Sequence, residues 1–333
     1  MELTVSFSVL MERCKMMQTK KVKKVKTKTK YAVLFLAPFV ILYLVFGLFP
    51  ILHSFYISMT DWTFGKEINF VGLSNYIKLF TEDKYFWKSV GNTALLMLMY
   101  IPASLIAALL LSNLIYSKKT RFKKFFQVAF FLPNITTAVA VGLMFALIFD
   151  WQTGILNSLL MKMGIIETGI NWLGTPGLAR FVTALMLFWA YFGYCTVFYL
   201  SGMSGIPEDV YEAATLDGAN HRQTLWHVTI PMLKPVTSFL ILTSFISGCQ
   251  VMEEPMLLLN GWATVGQTVG GPDRSVLTIV WNLYDTAFGN GTNLQYGKGA
   301  AIGYSAFLLI MIVVMLWNYT QKKLAQRRGD YEE

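Results

Sequence analysis

Charged residues are scarce in this chain. Only 14% of its 333 residues are Asp, Glu, Lys or Arg, whereas 55% are hydrophobic and the mean hydropathy is +0.49. A soluble domain has roughly a quarter of its residues charged, and these cover its core with a polar surface. This chain lacks that supply, so its composition excludes a soluble enzyme and a disordered chain. It predicts an integral membrane protein.

Cysteine and histidine are also rare. Cys14, Cys195 and Cys249 are the only cysteines; they lie far apart, and two of them fall in apolar stretches, so a disulfide framework is not expected. The three histidines do not have the spacing of a metal site. His221 and His227 are six residues apart and would lie on different faces of a helix, which favours polar or capping roles for both.

The motifs of catalysis are missing as well. No G-x-x-x-x-G-K-[ST] loop is present to hold a nucleotide phosphate, and no Ser, His and Asp set converges. We therefore expect that the chain is not an enzyme and carries no cofactor or metal of its own.

Long apolar stretches dominate the sequence. A helix needs about 20 mostly apolar residues to cross the hydrocarbon of a bilayer. Six stretches contain no Asp, Glu, Lys or Arg; five exceed 20 residues, and the one with 18 is expected to extend toward its N-terminal side. We predict an all-α integral membrane fold with six transmembrane helices, at residues 31–60, 91–117, 125–149, 181–207, 235–252 and 299–321.

Lysine and arginine are distributed unevenly between the connections. Twenty lie in residues 1–30, 118–124, 204–235 and the C-terminal tail, against eight in the other three connections. Because cytoplasmic loops carry the excess of Lys and Arg, both termini are predicted to be cytoplasmic. The net charge of +9 then reflects basic loops and anionic-lipid contact, with no nucleic-acid partner. The predicted domains are a basic N-terminal tail (1–30), a six-span transmembrane domain (31–321) and a C-terminal tail (322–333).

The predicted spans hold no acidic or basic side chain apart from His53. The nearest acids are Glu253 and Glu254, at the far end of the fifth stretch. Proton-coupled carriers place such groups within the membrane. Their scarcity argues against that mechanism and favours a pathway for a neutral, polar solute.

Residues 204–235 form an acidic segment on the basic side of the protein, with four acids against Arg222 and Lys234. Pro207 suits the first position of a helix, and Gly218 is predicted to end it with a positive φ. Asn220 can cap a second short helix, which Pro231 and Pro235 are expected to stop. The pattern predicts a helix–Gly–helix element at the membrane face; an amphipathic re-entry helix is the alternative.

At these residues the sequence resembles a known family. Glu212-Ala213-Ala214, then Gly218, then Ile230-Pro231 resemble the EAA loop of permease subunits in binding-protein-dependent ABC importers. Further motifs are similar to the first permease of the carbohydrate branch, which handles maltose, multiple sugars or glycerol phosphate. They include Val71-Gly72-Leu73-Ser74-Asn75-Tyr76, Leu132-Pro133, Asn171-Trp172-Leu173 and Gly270-Gly271-Pro272. The chain departs from the branch in an extended loop at residues 261–270.

The resemblance implies a type I permease that moves an oligosaccharide into the cytoplasm of a bacterium by alternating access. It implies four kinds of partner: a cytoplasmic ABC ATPase dimer, which would bind the ATP and Mg²⁺, a second permease, an extracytoplasmic sugar-binding protein and membrane lipid. The ATPase-coupling residues it implies are Glu212, Ala213, Ala214, Asp217, Gly218, Ile230 and Pro231.

The same resemblance places sugar contacts on the fourth and fifth spans. Aromatic faces stack on sugar rings, and amides and hydroxyls bond sugar hydroxyls. The candidates are Tyr194, Ser244, Ser247 and Gln250, with Tyr191 as a weaker fifth. Helix–helix packing is the alternative role for each of them. Asn92 and Asn134, at span ends, are interpreted as caps or packing residues.

Three other functions remain open at this stage. A permease of another ABC importer branch, for peptides, amino acids or phosphonates, would share the EAA-like loop. A stand-alone carrier or channel would show inverted repeats or intramembrane charges. A membrane-embedded enzyme would need a catalytic constellation that the sequence does not contain.

Overall fold

The computed structural model describes residues 29–116, 122–259, 269–289 and 294–328. Residues 1–28 of the predicted N-terminal tail, residues 329–333 of the predicted C-terminal tail and most of the extended loop at 261–270 lie outside these residues. Within them the regular structure is helical, and strand pairing is limited to two isolated bridges, Thr60 with Phe70 and Thr63 with Gln295. The helices are α1 (Thr29–Tyr43), α2 (Phe49–Ser58), α3 (Ser74–Thr81), α4 (Lys84–Tyr116), α5 (Lys123–Ile135), α6 (Ala138–Ile148), α7 (Ile155–Lys162), α8 (Pro176–Ser204), α9 (Glu208–Leu216), α10 (His221–Met232), α11 (Lys234–Cys249), α12 (Glu253–Leu258), α13 (Ile279–Phe288) and α14 (Tyr296–Arg328).

Four helices of the described chain are long and apolar enough to cross a membrane. Two bent helix pairs, α5 with α6 and α10 with α11, bring the number to six if each pair is one span. The prediction of an all-helical membrane protein with six spans is therefore confirmed at this level. The long spans are Leu34–Ser58, Lys84–Tyr116, Pro176–Ser204 and Tyr296–Leu324.

The third predicted span is not one straight helix. α5 and α6 meet at an angle of 93°. Thr136 adopts an extended conformation with ψ 140°, and the Thr137 hydroxyl accepts a hydrogen bond from the Ala140 N–H at 3.4 Å, which caps α6. Thr136 and Thr137 leave the helical region, and Thr137 caps the next helix. The chain therefore bends here although the residues on both sides are apolar.

The second short helix ends before the next span, as expected, but it ends between the two prolines and not at Pro231. Pro231 lies in the first turn of a short α-helical piece, Ile230–Met232, that directly continues the π-helical turn Leu225–Thr229. Proline is accommodated there because the π-helical turn just before it already departs from regular α-helical hydrogen bonding: the Ile230 N–H donates to the Leu225 carbonyl, five residues earlier. The chain instead bends by 65° at Leu233, between α10 and α11, and Pro235 falls in the first turn of α11.

The chain divides into two compact units, residues 1–54 and 55–333. In the first unit, α1 runs into a π-helical turn, Leu44–Leu48. Its large apolar side chains, such as Phe35 and Phe46, are exposed in this single chain, as expected of a helix that faces lipid.

The second unit is built around α4 and α8, which pack along each other. Their buried side chains form successive core clusters, one with Leu96 and Leu187, another with Ala108 and Tyr199. α5 also packs on α8, and it comes so close that a Cβ at Gly193 would overlap the carbonyl oxygen of Phe130. Helix packing in membranes relies on small residues at such points.

Shorter helices gather at the end of the unit where α4 begins. α12 packs on α6, and α13 packs on α14 and α4. Between α6 and α8, the fully buried Asn157 ties the connection together: its amide nitrogen donates to the Ile170 carbonyl at 2.9 Å, and its oxygen accepts from the Trp172 indole at 2.9 Å. One buried amide thus fixes a long connection of irregular backbone.

Candidate functional site

The acidic segment forms the helix–Gly–helix element that its sequence predicts. Gly218 has φ 77° and ends α9, and the Ala219 N–H donates to the Ala214 carbonyl at 2.9 Å across the turn. Asn220 then caps α10 through a reciprocal pair of hydrogen bonds with Gln223, at 3.0 and 2.8 Å. Each feature follows from a residue type that favours it locally, a glycine in the left-handed region and an Asn–x–x–Gln capping box.

α9 is held to the helix core by one face. Val210 and Tyr211 pack on the cluster that contains Tyr199 and Met203, and the Tyr211 ring lies 6.1 Å from the ring of Tyr116. Burial raises the pKa of Tyr211, against the hydrogen bond from Thr229. The buried face fixes α9 in position and leaves its other face free.

The free face carries most of the predicted coupling residues. Glu212, Ala213 and Asp217 are exposed, whereas Ala214 is the buried residue of α9. Leu216 is 89% exposed and Trp226, on α10, is 66% exposed. Ile230 and Pro231 are half-buried in the last turn of α10. A face with two acids and two large apolar side chains in water is suited to a protein partner.

His221 connects the acidic segment to α4. One nitrogen of its ring, Nε2, lies 3.0 Å from the Asn113 amide nitrogen. A cavity of about 1010 Å³ opens beside this contact and includes Glu208, Glu212 and Tyr116 among its lining residues. The polar role expected for His221 and His227 fits these contacts, since His227 Nδ1 lies 3.0 Å from the Gln223 carbonyl oxygen.

A second cavity, of about 240 Å³, lies between α4, α5, α8 and α11. We call it the membrane cavity. It combines aromatic rings with hydroxyl and amide groups, and four of the five predicted pathway residues line it. The lining consists of Tyr100, Ile101, Ser104, Asn134, Tyr191, Tyr194, Cys195, Thr243, Ser244 and Ser247.

Gln250 is not among the lining residues of the membrane cavity. It is exposed and follows the last residue of α11 as its C-terminal cap. Six lining residues were not predicted as sugar contacts: Tyr100, Ile101, Ser104, Asn134, Cys195 and Thr243. The signal for Tyr100 and Ser104 is their spacing of four residues within one apolar helix, which places both on one face.

Glu254 is an acid that is hydrogen-bonded to a residue of the cavity lining. The Tyr191 hydroxyl donates to Glu254 Oε1 at 3.2 Å, and the Tyr191 ring lies 5.9 Å from the ring of Tyr100. Glu254 is half-buried in the first turn of α12, whereas Glu253 beside it is exposed. A carboxylate is thus linked directly to the aromatic wall of the cavity.

A loop at residues 269–278, which we call the glycine loop, covers the start of α4. Asn92 donates to the carbonyl oxygens of Arg274 and Leu277 at 2.8 and 3.1 Å. Arg180, at the start of α8, donates from Nε to the Ser275 carbonyl at 2.9 Å. Asn92 is therefore a packing residue, as predicted, and Arg180 is an anchor that the sequence did not reveal.

The glycine loop adopts an unusual backbone. Gly270 and Gly271 have positive φ, and so do Asp273 and Arg274, at 52° and 51°. Such non-glycine residues carry a cost and persist where surrounding contacts impose the conformation. Here Asp273 pairs with Lys88 at 2.9 Å, and the Arg274 guanidinium lies 3.9 Å from the centre of the Tyr85 ring.

Neither cavity resembles a metal centre. Among the described residues, no group of three or more His, Cys, Asp or Glu side chains is arranged to hold a metal ion.

The sequence of this chain is similar to those of known membrane transport proteins. Residues 100–327 match the family described as binding-protein-dependent transport system inner membrane component. The chain is 34% identical to the arabinooligosaccharides transport system permease AraP of Bacillus subtilis, over 85% of this chain and 86% of that protein. It is 31% identical to the lactose transport system permease LacF of Rhizobium radiobacter, over 87% of this chain and 93% of that protein.

The fold also matches a solved structure. A chain of a bacterial ABC transporter involved in the import of the acidic polysaccharide alginate superposes with a TM-score of 0.74, over 90% of this chain and 96% of that one, at 20% identity. At that identity the likeness concerns the fold, a type I importer permease. With the match over residues 100–327 and the two relatives, it leads to one conclusion: the chain belongs to the family of inner membrane components of binding-protein-dependent transport systems.

Proposed function

We propose that this chain is a permease subunit of an ATP-driven importer that moves a carbohydrate, and specifically an oligosaccharide, into the cytoplasm by alternating access. The observation that carries the proposal is the membrane cavity, which is lined by three tyrosines and several hydroxyl groups between spanning helices of a permease fold. The relatives are named for arabinooligosaccharide and lactose transport, which supports a sugar as the solute.

The lining suits a sugar chemically. A sugar ring has an apolar face that stacks on an aromatic side chain and a rim of hydroxyls that both donate and accept hydrogen bonds. Tyr191 and Tyr194 would supply the rings, and Ser244 and Ser247 the hydrogen bonds. At about 240 Å³ the cavity is smaller than a typical ligand site of about 300–1,000 Å³, so an oligosaccharide would occupy it one or two rings at a time.

We further propose that the free face of α9 and α10 docks on a separate cytoplasmic ATPase, which would bind the ATP and Mg²⁺. Glu212 would pair with a basic residue of the ATPase, and Leu216 and Trp226 would bury apolar area against it. Gly218 would set the angle between the two short helices. The support is the exposure of these side chains in a segment whose other face is fixed to the core.

The remaining partners follow from the same proposal. A second permease, a distinct paralogue, would complete the pathway, and an extracytoplasmic sugar-binding protein would deliver the solute. The acidic segment and both termini would lie in the cytoplasm of a bacterium, and the excess of Lys and Arg in these connections supports that orientation. The glycine loop would then face the binding protein.

The test is capture of the tagged chain from mild-detergent membranes, followed by mass spectrometry and by uptake of labelled lactose and arabinooligosaccharide in proteoliposomes. We expect an ATPase and a second permease to be recovered, and their recovery to fall in Glu212→Ala. Glu167→Ala is the matched control, because Glu167 is an exposed acid outside the acidic segment. Recovery of this chain alone, with uptake intact, would refute the proposal.

A further inference from the structure

Two hydroxyls and one amide that line the membrane cavity donate hydrogen bonds to other groups of the protein. The Tyr191 hydroxyl donates to Glu254 at 3.2 Å, and the Thr243 hydroxyl donates to the Phe239 carbonyl at 2.9 Å. The Asn134 amide donates to the Ala190 carbonyl at 3.4 Å. Because a hydroxyl has one proton and two lone pairs, Tyr191 and Thr243 can offer a ligand only acceptor capacity.

The cavity also has no cation to attract a negative solute. None of the ten described residues that line it is charged. Glu254, one hydrogen bond away, is half-buried and forms no ion pair with any described residue. A carboxylate in surroundings of low dielectric constant repels a second carboxylate more strongly than it would in water.

Neutral and acidic sugars differ in the hydrogen bond that they can form with the Tyr191 oxygen. A sugar hydroxyl can donate a hydrogen bond to the Tyr191 oxygen, whereas a uronate carboxylate only accepts. The ligand carboxylate would face the oxygen of Tyr191 without a proton between them. It would also lie close to Glu254, because the same Tyr191 oxygen is hydrogen-bonded to Glu254. Family and fold leave this choice open, because two relatives are named for neutral sugars and the solved structure is named for an acidic polysaccharide.

We propose that Glu254, acting through its hydrogen bond with Tyr191, makes this permease select uncharged sugars over acidic ones. Tyr191 is the contact residue, and Glu254 is a specificity residue that sets both the direction of the Tyr191 proton and the local charge. The inference rests on the proposed function, since it assumes that the membrane cavity belongs to a sugar pathway.

The experiment measures sugar binding to the purified importer complex in detergent micelles, without the binding protein, by saturation-transfer NMR. The probes are lactose, galactobiose and digalacturonate; the last two differ in the oxidation state of C6. Wild-type complex is expected to bind galactobiose about tenfold more tightly than digalacturonate at low salt, from one repulsion between two unit charges that both lie beside the Tyr191 hydroxyl.

Glu254→Gln keeps the shape of the side chain and removes its charge, so the preference should fall to within about twofold of unity. Glu254→Asp keeps the charge and should retain the preference. Glu253→Gln is the matched control, because Glu253 is the exposed neighbour with the same chemistry. If Glu254→Gln does not assemble, Glu254→Ala removes the same charge and should lower the preference as far.

The outcomes separate this inference from the proposed function. An unchanged preference in Glu254→Gln, or no preference in wild type, overturns the role of Glu254 while sugar uptake in proteoliposomes still stands. Failure of both neutral sugars to bind, together with no uptake, overturns the proposed function and this inference with it. A preference that falls in Glu253→Gln as much as in Glu254→Gln would also refute it, since the effect would then be general surface charge.

Discussion

The Lys88 ammonium lies 2.9 Å from the Asp273 carboxylate and joins two residues that are 185 positions apart in the chain. The side chains are 32% and 75% exposed, respectively. An ion pair this exposed contributes about 0–1 kcal/mol to stability. The pair therefore orients the glycine loop, while the buried hydrogen bonds of Asn92 and Arg180 beneath it supply the stability.

Two substitutions that remove contacts of the glycine loop should lower the stability of the protein by different amounts. Asn92→Ala removes the donor for two carbonyl oxygens, one of them fully buried, and should lower the free energy of unfolding by about 1–3 kcal/mol. Asp273→Ala should cost less than about 1 kcal/mol. Thermal unfolding in detergent micelles measures both. Equal losses would show that the loop is held mainly by its surface charges.

Low pH should lower the folding stability of the protein at the N-terminal end of α4. Burial opposes ionisation of Asp83, but the Lys298 ammonium and the Phe86 and Tyr85 N–H groups outweigh it and lower its pKa below 3.8. A pKa that is lower in the folded state stabilises fully above the unfolded value and is lost as pH falls through the folded one. Melting curves below pH 4 should therefore fall more steeply in wild type than in Asp83→Asn; parallel curves would contradict this.

The effect of a substitution at Gly218 should depend on the backbone strain that the new residue causes and not on steric clashes of its side chain. A Cβ there would meet no atom within 4 Å, but φ is 77°. Asn tolerates this conformation, Ala costs about 1–2 kcal/mol, and a β-branched residue costs more. Uptake per ATP hydrolysed should fall in the order Gly218→Asn, Gly218→Ala, Gly218→Val. Gly91→Ala is the control, because its Cβ also meets open space and its φ is not positive.

The exposed apolar side chains of the acidic segment should matter for partner binding and not for folding. Leu216→Ser is expected to weaken ATPase retention at least fivefold, about 1 kcal/mol, because a side chain that is 89% exposed alone would become buried in the complex. The melting temperature of the isolated chain should not change. Ile165→Ser, an exposed apolar position outside the acidic segment, should leave ATPase retention intact.

Ser104 offers a test of the membrane cavity. Its hydroxyl is buried and has no hydrogen-bond partner within the described residues. Ser104→Ala should leave stability unchanged or raise it by up to about 1 kcal/mol, because it removes an unsatisfied polar group. If a sugar supplies the missing partner, KM for uptake should rise in the same variant. Lower stability with unchanged KM would assign Ser104 to helix packing.

Local signals in the sequence predicted local structure well. Gly218 and Asn220 act within four residues of themselves, so their turn and cap could be predicted from residue type alone. The bend at Thr136 and the helical position of Pro231 were missed, because an apolar run and a proline each allow two local conformations. The surrounding helices decide between them.

Long-range contacts could not be derived from patterns. The role of Arg180 depends on the Ser275 carbonyl, 95 residues later, and that of Glu254 depends on Tyr191, 63 residues earlier. Gln250 was nominated because of its residue type and span, yet the end of α11 places it outside the cavity lining. The family resemblance located the right helices, and only the packing located the cavity between them.

α4 holds the glycine loop through Asn92 and the acidic segment through Asn113, which comes 21 residues later. At 1.5 Å per residue these anchors stand about 30 Å apart, the thickness of the hydrocarbon layer. A tilt of about 10° would move one anchor by roughly 5 Å relative to the other. One helix, with Pro102 between the anchors, therefore joins the glycine loop to the acidic segment, so that a movement imposed on one anchor would be transmitted to the other.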